Sequence, residues 1–256
     1  MPAFQDLTNW SFVYLRIIAW LSVFPLFSMA NIPVRLRLAL AALVAFLIAP
    51  TLPRAVDVPD GMLGVVGLMT IEIGIGVLLG FICRMVFFIV EFAGSIASME
   101  VGLNMAAGMN PFSSARSEVP SIMLFYLAAM LFLSLDLHHW LLYGLQRTYQ
   151  ILPIGSVRLQ EPLLREMITR TGQIFLYGLL MAAPIVAVAF LINLVFSLLG
   201  RAVPQMNIFI ESFAFRILAG LIVFGITVNL MAQHIVNILK RLPEDMLKVS
   251  RLLSGA

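Results

Sequence analysis

The sequence predicts an all-α protein of the integral membrane type, with about six long, partly kinked helices arranged as helical hairpins. The first observation behind this prediction is composition. Of the 256 residues, 61% are hydrophobic and 11% are charged, whereas about 25% charged residues is usual for a soluble domain. The second observation is that the apolar residues form long runs without Asp, Glu, Lys or Arg. Such runs are typical of helices that lie in lipid or inside an assembly.

The charge-free runs define most of the predicted helices in order along the chain. A helix needs roughly 20 apolar residues to cross a bilayer. The runs cover residues 17–34, 38–53, 119–135, 171–200 and 217–239. The second run is marginal in length. The fourth would reach roughly 45 Å as a straight helix, and Pro184 within it predicts a kink.

A further apolar segment, residues 61–90, differs from the others because it contains Glu72 and Arg84. It is also rich in glycine, and the spacing of Gly76 and Gly80 permits another helix to pack closely. The predicted order is completed by three polar turns, at residues 57–61, 152–156 and 200–207, and by an amphipathic tail at residues 240–253.

Six charged residues lie inside or beside the predicted helices: Arg16, Glu72, Arg84, Glu91, Glu211 and Arg216. A charge at the bilayer centre costs at least about 2.5–3.5 kcal/mol. Three explanations are open: the charges pair with one another, they line an aqueous path, or they pair with charges of another chain. Charges near helix ends would instead reach water. Because prolines at membrane depth also need protein or a cavity around them, the pattern favours a subunit of an assembly.

Few residues offer chemistry, and their spacing argues against an enzyme or a metal site. Asp136, His138 and His139 stand together, but neighbouring residues on a helix point about 100° apart, so one ion is not expected to bind both histidines. With Trp140 they are interpreted as marking a membrane–water boundary. The single cysteine, Cys83, cannot form an internal disulfide. Without a metal, phosphate, dinucleotide or nucleophile motif, or a basic patch, the sequence predicts no catalytic residue, metal, cofactor or nucleic acid partner.

Residues 102–118, GLNMAAGMNPFSSARSE, interrupt the apolar helices with an unusual mixture of residues. The Gly, Asn, Ser and Pro are typical of a loop, whereas a plain connecting loop does not need the Met and Phe. On composition alone, an ordinary surface loop with incidental apolar residues is the alternative.

Four segments are distinctive in their order and spacing. SVFPLFSMANIPVRLRLALAALVAFLIAP, at 22–50, joins a helix that contains proline to a short turn and a second helix ending in Ala-Pro. GSIASMEVGLNMAAGMNP follows at 94–111, then LDLHHWLLYGLQRTYQILPIG at 135–155, and RAVPQMNIFI between the last two long helices. Through these motifs nearly the whole chain resembles the FliR/SctT family, the flagellar and virulence type III secretion export-gate proteins, and the flagellar branch in particular.

The resemblance implies a structural and gating subunit of the flagellar type III protein export apparatus, in the bacterial inner membrane at the basal body. Such a subunit assembles with FliP and FliQ homologues beside an FlhB homologue, contacts lipid, and helps form the pore for unfolded export substrates. Residues 1–160 would be a FliP-like part, and residues 161–256 a FliQ-like long helical hairpin with an amphipathic tail. The alternative is a small-solute secondary transporter, which would need paired repeats and a polar midplane site that the sequence does not show.

The resemblance also implies a role for residues 102–118, because the corresponding loop of the family plugs the pore. Met is an adaptable side chain suited to a non-specific seal, glycine permits hinge motion, and an Asn-Pro step breaks a helix. We predict Gly102 and Gly108 as hinges, and a constriction formed by Met105, Met109, Asn110, Pro111 and Phe112. The six charges above are then buried or inter-subunit charges.

Overall fold

The computed structural model describes residues 2–29, 32–52, 61–103, 119–158, 160–203, 205 and 207–255. All regular secondary structure in these residues is helical, which confirms the predicted all-α class. One 3-10 turn, Ala49–Thr51, accompanies the α-helices. In chain order these are α1 (Pro2–Val23), α2 (Pro25–Ser28), α3 (Val34–Ile48), α4 (Met62–Val101), α5 (Val119–Ser134), α6 (Leu137–Ile151), α7 (Glu161–Ala202), α8 (Ile208–Lys240) and α9 (Leu242–Ser254).

Several of these helices are long and apolar enough to cross a membrane, which agrees with the predicted membrane type. Over the described residues there are 4 such stretches, or 5 if α5 and α6 form one broken span. The four are Val34–Thr51, Met62–Val101, Glu161–Ala202 and Ile210–Ser254.

Proline affects the first helix and the seventh differently. The apolar run predicted at 17–34 is not one helix, because α1 ends at Val23, Phe24 is extended (φ −63°, ψ 125°) and α2 begins at Pro25. Proline disfavours the helical conformation in the residue before it and lacks an N–H donor, so this step ends α1. By contrast, α7 continues through Pro184, so the kink predicted there does not divide the helix.

Contacts divide the chain into two compact units, of which the first comprises residues 1–86, 136–170 and 240–256. Within it, α1 packs along α3, and α6 packs on α9. Trp20 and Phe24 stack with ring centroids 5.3 Å apart. The core of this unit includes large side chains that are at most 2% exposed: Phe12, Ile17, Trp20, Phe24, Leu79 and Ile82.

The predicted amphipathic tail is helix α9, and apolar and backbone contacts hold it in the first unit. It buries one face, which carries Leu242, Met246, Val249, Ser250 and Leu253. Gly144 of α6 leaves space for Pro243 of α9, because a Cβ atom on Gly144 would lie 3.3 Å from the proline Cβ. The backbone N–H of Arg158 also donates to the carbonyl oxygen of Leu253 at 2.8 Å.

An ion-pair network joins the start of α7 to α9. The Arg170 guanidinium donates to Glu166 Oε1 and to Asp245 Oδ1, each at 2.8 Å. Lys248 Nζ donates to the second oxygen of Glu166 at 2.7 Å. Because Arg170 and Glu166 are largely buried, these ionic contacts are less screened than surface pairs, and they fix α9 against α7.

The second unit comprises residues 87–135 and 171–239, which include the C-terminal part of α4, α5, and most of α7 and α8. Gly94 of α4 faces the backbone of Ser121 on α5, whose hydroxyl donates to the carbonyl oxygen of Glu91 at 3.1 Å. Phe92 meets Phe175 of α7 edge to face, with centroids 5.3 Å apart. Helix α4 therefore packs against both α5 and α7 in this unit.

Candidate functional site

The most deeply buried charges in the first unit form an ion pair between α1 and α4. Arg16 Nε donates to Glu72 Oε2 at 2.6 Å, and Arg16 Nη2 donates to Glu72 Oε1 at 3.0 Å. Both side chains are completely shielded from solvent. Of the three explanations open for the charges, pairing within the chain is the one that the structure shows for Arg16 and Glu72.

The turn after α6 supplies backbone partners to this ion pair. Arg16 Nη1 donates to the carbonyl oxygen of Leu152 at 3.1 Å, and the N–H of Gly155 donates to Glu72 Oε1 at 3.1 Å. Gly155 has a φ of +78°, a conformation that glycine adopts without the steric cost of a Cβ atom. A Cβ atom there would also lie 2.9 Å from Leu68 Cδ1. The sequence LPIG therefore completes the hydrogen bonding of two buried charges.

Tyr149 of α6 contacts the same arginine through its ring. The Arg16 guanidinium carbon lies 4.1 Å from the ring centroid, which is a cation–π contact in a dry environment. The tyrosine hydroxyl donates to the carbonyl oxygen of Val13 at 3.2 Å. Sequence reasoning assigned no role to this tyrosine, and the available signal was only its position three residues before the LPIG turn.

Gly76 and Gly80 allow α4 to approach α1 closely enough for this pairing. A Cβ atom on Gly76 would collide with the backbone oxygen of Arg16 and lie 2.8 Å from Ala19 Cβ. A Cβ atom on Gly80 would lie 2.8 Å from the carbonyl oxygen of Trp20. The spacing of Gly76 and Gly80 therefore permits close helix packing, as the sequence predicts, and the helix that packs there is α1.

The other four predicted charges are not gathered at this ion pair. Arg84 and Glu91 are half-buried on α4, in the first and second unit respectively. Glu211 is exposed in the first turn of α8, where a negative charge is favoured by the helix dipole. Arg216 is half-buried, and its Nε atom is buried without a hydrogen-bond partner among the described residues.

The predicted plug begins where α4 ends. Gly102 is buried with a φ of +85°, and a Cβ atom there would lie 2.9 Å from Phe213 Cε2 of α8. The backbone therefore leaves α4 at a point enclosed by another helix of the second unit. The hinge Gly108 and the predicted constriction lie outside the described residues and stay predictions: Met105, Met109, Asn110, Pro111 and Phe112.

Comparison with known proteins gives one family and a consistent set of relatives. A family model described as "Bacterial export proteins, family 1" matches residues 7–242. The chain is 34% identical over 218 residues to the flagellar biosynthetic protein FliR of Escherichia coli (strain K12), covering 85% of this chain and 83% of that protein. It is 30% identical over 237 residues to FliR of Pectobacterium carotovorum subsp. carotovorum, covering 90% of each chain. It is 25% identical over 239 residues to FliR of Bacillus subtilis (strain 168), covering 91% of each.

Proposed function

We propose that this chain, which belongs to the bacterial export proteins of family 1, is a structural and gating subunit of the flagellar type III protein export apparatus. The observation that carries the proposal is the extent of the match, residues 7–242, which includes α4, α7 and α8 in full. The relatives named above all bear the name of a flagellar biosynthetic protein. The chain acts by binding partners and enclosing a path, and we propose no catalytic step for it.

The surface of the long helices supports a role inside a membrane assembly. In the most apolar 18-residue stretch of the span 161–202, 28% of the residues are buried within this chain, and in that of the span 210–254 the share is 11%. The corresponding share in the span 62–101 is 61%. Exposed side chains of these two spans include Phe175, Leu179, Phe190, Leu218 and Ile226. Water does not stabilise such a surface, so lipid or other apolar helices must cover it.

We assign that cover to homologues of FliP and FliQ, with an FlhB homologue as neighbour and lipid of the inner membrane around them. In this proposal residues 1–160 take the place of a FliP-like part and residues 161–256 that of a FliQ-like hairpin. In this proposal the exposed Glu211 and the half-buried Arg216, both on α8, are charges that pair with these other chains.

Assembly is the direct test of this function. In this experiment an epitope tag is added to the chain, which is then expressed either alone or together with its FliP and FliQ homologues. Co-purification of a large complex of fixed stoichiometry is expected, with a lower stability for the chain alone than for the chain in the complex. A stable, solitary chain that transports a small solute after reconstitution would contradict the proposal and favour the transporter alternative.

The gating part of the proposal concerns residues 102–118. Gly102 lies at the point where α4 ends, and its positive φ and its contact with Phe213 limit substitution. From this point the segment would extend into the pore, with the flexible Met side chains and Phe112 as the seal. Because contacts made by flexible apolar side chains are not sequence-specific, such a seal would open for unfolded substrates of any sequence.

Glycine substitution of residues 105–116 in the assembled complex tests the seal. We expect ions or small solutes to leak across the membrane while the complex still assembles. The matched control is Met130→Gly, which removes a methionine that is 69% exposed on α5 and is expected to leave the membrane tight. If the substituted complex is as impermeable as the wild type, the segment is not the plug.

A further inference from the structure

Three side chains of types that can bind a metal ion, Asp136, His138 and His139, stand together at the start of α6, apart from the buried ion pair. Asp136 immediately precedes the helix, with φ 54° and ψ 23°. It is the only non-glycine residue with positive φ in the described part of the chain. Aspartate tolerates this left-handed conformation better than most residues. Its carboxylate Oδ1 lies 3.8 Å from the Nδ1 atom of His139.

His138 joins this pair in spite of the divergence that sequence reasoning expects for neighbouring helical residues. The ring centroids of His138 and His139 are 4.0 Å apart, with the planes tilted by 39°. The expected angle of about 100° separates the Cα–Cβ directions on a helix, whereas rotation about the side-chain bonds places the rings. One ligand atom from each of Asp136, His138 and His139 lies within 4.8 Å of the other two.

We infer that Asp136, His138 and His139 bind one divalent first-row transition metal ion, with Zn²⁺ as the representative case. Two imidazole nitrogens and a carboxylate oxygen are ligands that zinc and its neighbours accept, whereas Mg²⁺ and Ca²⁺ prefer oxygen alone. Three protein ligands leave a coordination position for water or for a group from another molecule. The site goes beyond the proposed export function and does not depend on it.

The geometry requires only a modest rearrangement. Two ligands bound at about 2.0–2.2 Å to one tetrahedral ion lie roughly 3.3–3.5 Å apart. The Asp136–His139 separation of 3.8 Å is already close to this value. Their side chains are 73% and 70% exposed, so rotation about the side-chain bonds meets little resistance from packing. His138 is half-buried and provides the more fixed member of the set.

The test uses the full chain, purified in detergent through a tag that contains no histidine. Zn²⁺ is titrated in competition with a chromophoric chelator, and Co²⁺ is titrated by its visible absorption. We expect one metal ion to bind per chain, and the absorption spectrum of bound Co²⁺ to be typical of nitrogen and oxygen ligands. His138→Ala and His139→Ala should each weaken Zn²⁺ binding by about 10-fold or more, since each removes a ligand. Excess Mg²⁺ should not displace the ion.

Two further variants separate metal binding from folding. Asp136→Gly removes the carboxylate but suits the positive φ, so it should fold as the wild type does, by circular dichroism and gel filtration, and still bind Zn²⁺ about 10-fold or more weakly. His234→Ala removes the third histidine of the chain, which is exposed on α8, and should leave affinity unchanged. The inference is overturned if the wild type binds Zn²⁺ no more tightly than His138→Ala/His139→Ala, or if Asp136→Gly binds as the wild type does.

Discussion

Replacement of Glu72 by glutamine removes one charge from the buried ion pair and changes little else. Glutamine has nearly the same volume, and its side-chain oxygen can still accept the N–H of Gly155, now 3.1 Å from Glu72 Oε1. The charge of Arg16 would remain at a position with no solvent exposure. The variant therefore measures the electrostatic loss with little change in packing.

The expected loss of stability is large. Removing one partner of a buried ion pair costs about 3–5 kcal/mol, because the other charge is left uncompensated. For a chain of this size each kcal/mol lowers the melting temperature by roughly 2–4 °C, so Glu72→Gln should melt roughly 6–20 °C below the wild type. Arg16→Gln should lose a comparable amount, since Glu72 is then the uncompensated charge.

Unfolding in mixed micelles of a mild detergent and SDS, followed by tryptophan fluorescence, gives the free energy of unfolding of each variant. The matched control is Glu161→Gln, since Glu161 pairs with Arg165 by side chains that are 72% and 78% exposed. Exposed pairs contribute about 0.2–1 kcal/mol. The double variant Arg16→Gln/Glu72→Gln contains no unpaired charge, and its loss should fall below the sum of the single losses by about 2–3 kcal/mol.

Two results would refute this reasoning. One is a Glu72→Gln protein that unfolds with the same free energy as the Glu161→Gln control. The other is strict additivity in the double variant, which would mean that Arg16 and Glu72 contribute independently and that their hydrogen bonds carry no coupling.

Two further substitutions test the packing of the first unit by the same unfolding measurement. Gly80→Ala places a Cβ atom 2.8 Å from the carbonyl oxygen of Trp20 and should cost about 1–3 kcal/mol. Gly74→Ala on the same helix meets no atom within 4 Å and should be neutral or stabilising by up to about 1 kcal/mol; equal effects at both positions would contradict the close approach of α1. Asp245→Asn removes a charged acceptor from Arg170 and should cost about 1–3 kcal/mol, and a loss below about 0.5 kcal/mol would show that Glu166 alone satisfies the guanidinium.

Composition and turn residues predict the fold class and several boundaries of this chain. The turn predicted at 152–156 lies between the end of α6 and the start of α7. The turn predicted at 200–207 overlaps the last three residues of α7, which ends at Ala202, and stops before α8 begins at Ile208. These boundaries are predictable because proline and glycine disfavour continuation of a helix locally. The signal needs no knowledge of neighbouring helices.

The first helix shows why other features were not predictable. The charge-free run predicts it at 17–34, whereas α1 covers Pro2–Val23. The run begins only after Arg16 because this residue is charged, yet Glu72, 56 residues further along the chain, neutralises that charge. Which charges meet depends on the rotation and depth of two helices, and neither quantity can be read from local sequence.

The histidine pair shows a second limit, at the scale of side chains. Backbone periodicity gives the direction in which His138 and His139 leave the helix, but not the rotamers that bring their rings to a centroid distance of 4.0 Å. Asp136, the residue before α6, adopts a positive φ, which local sequence does not predict for a non-glycine residue. Helical spacing therefore predicts the face on which a residue lies better than it predicts the distance between two side chains.

The hydrogen bond between Gly155 and Glu72 also has a consequence in time. The two residues are 83 positions apart, and a ribosome adds about 5–20 residues per second. The glutamate is therefore made roughly 4–17 s before the amide that completes its hydrogen bonding. The hydrogen bonding of the Arg16–Glu72 pair can therefore be complete only after α6 and its turn have been synthesised.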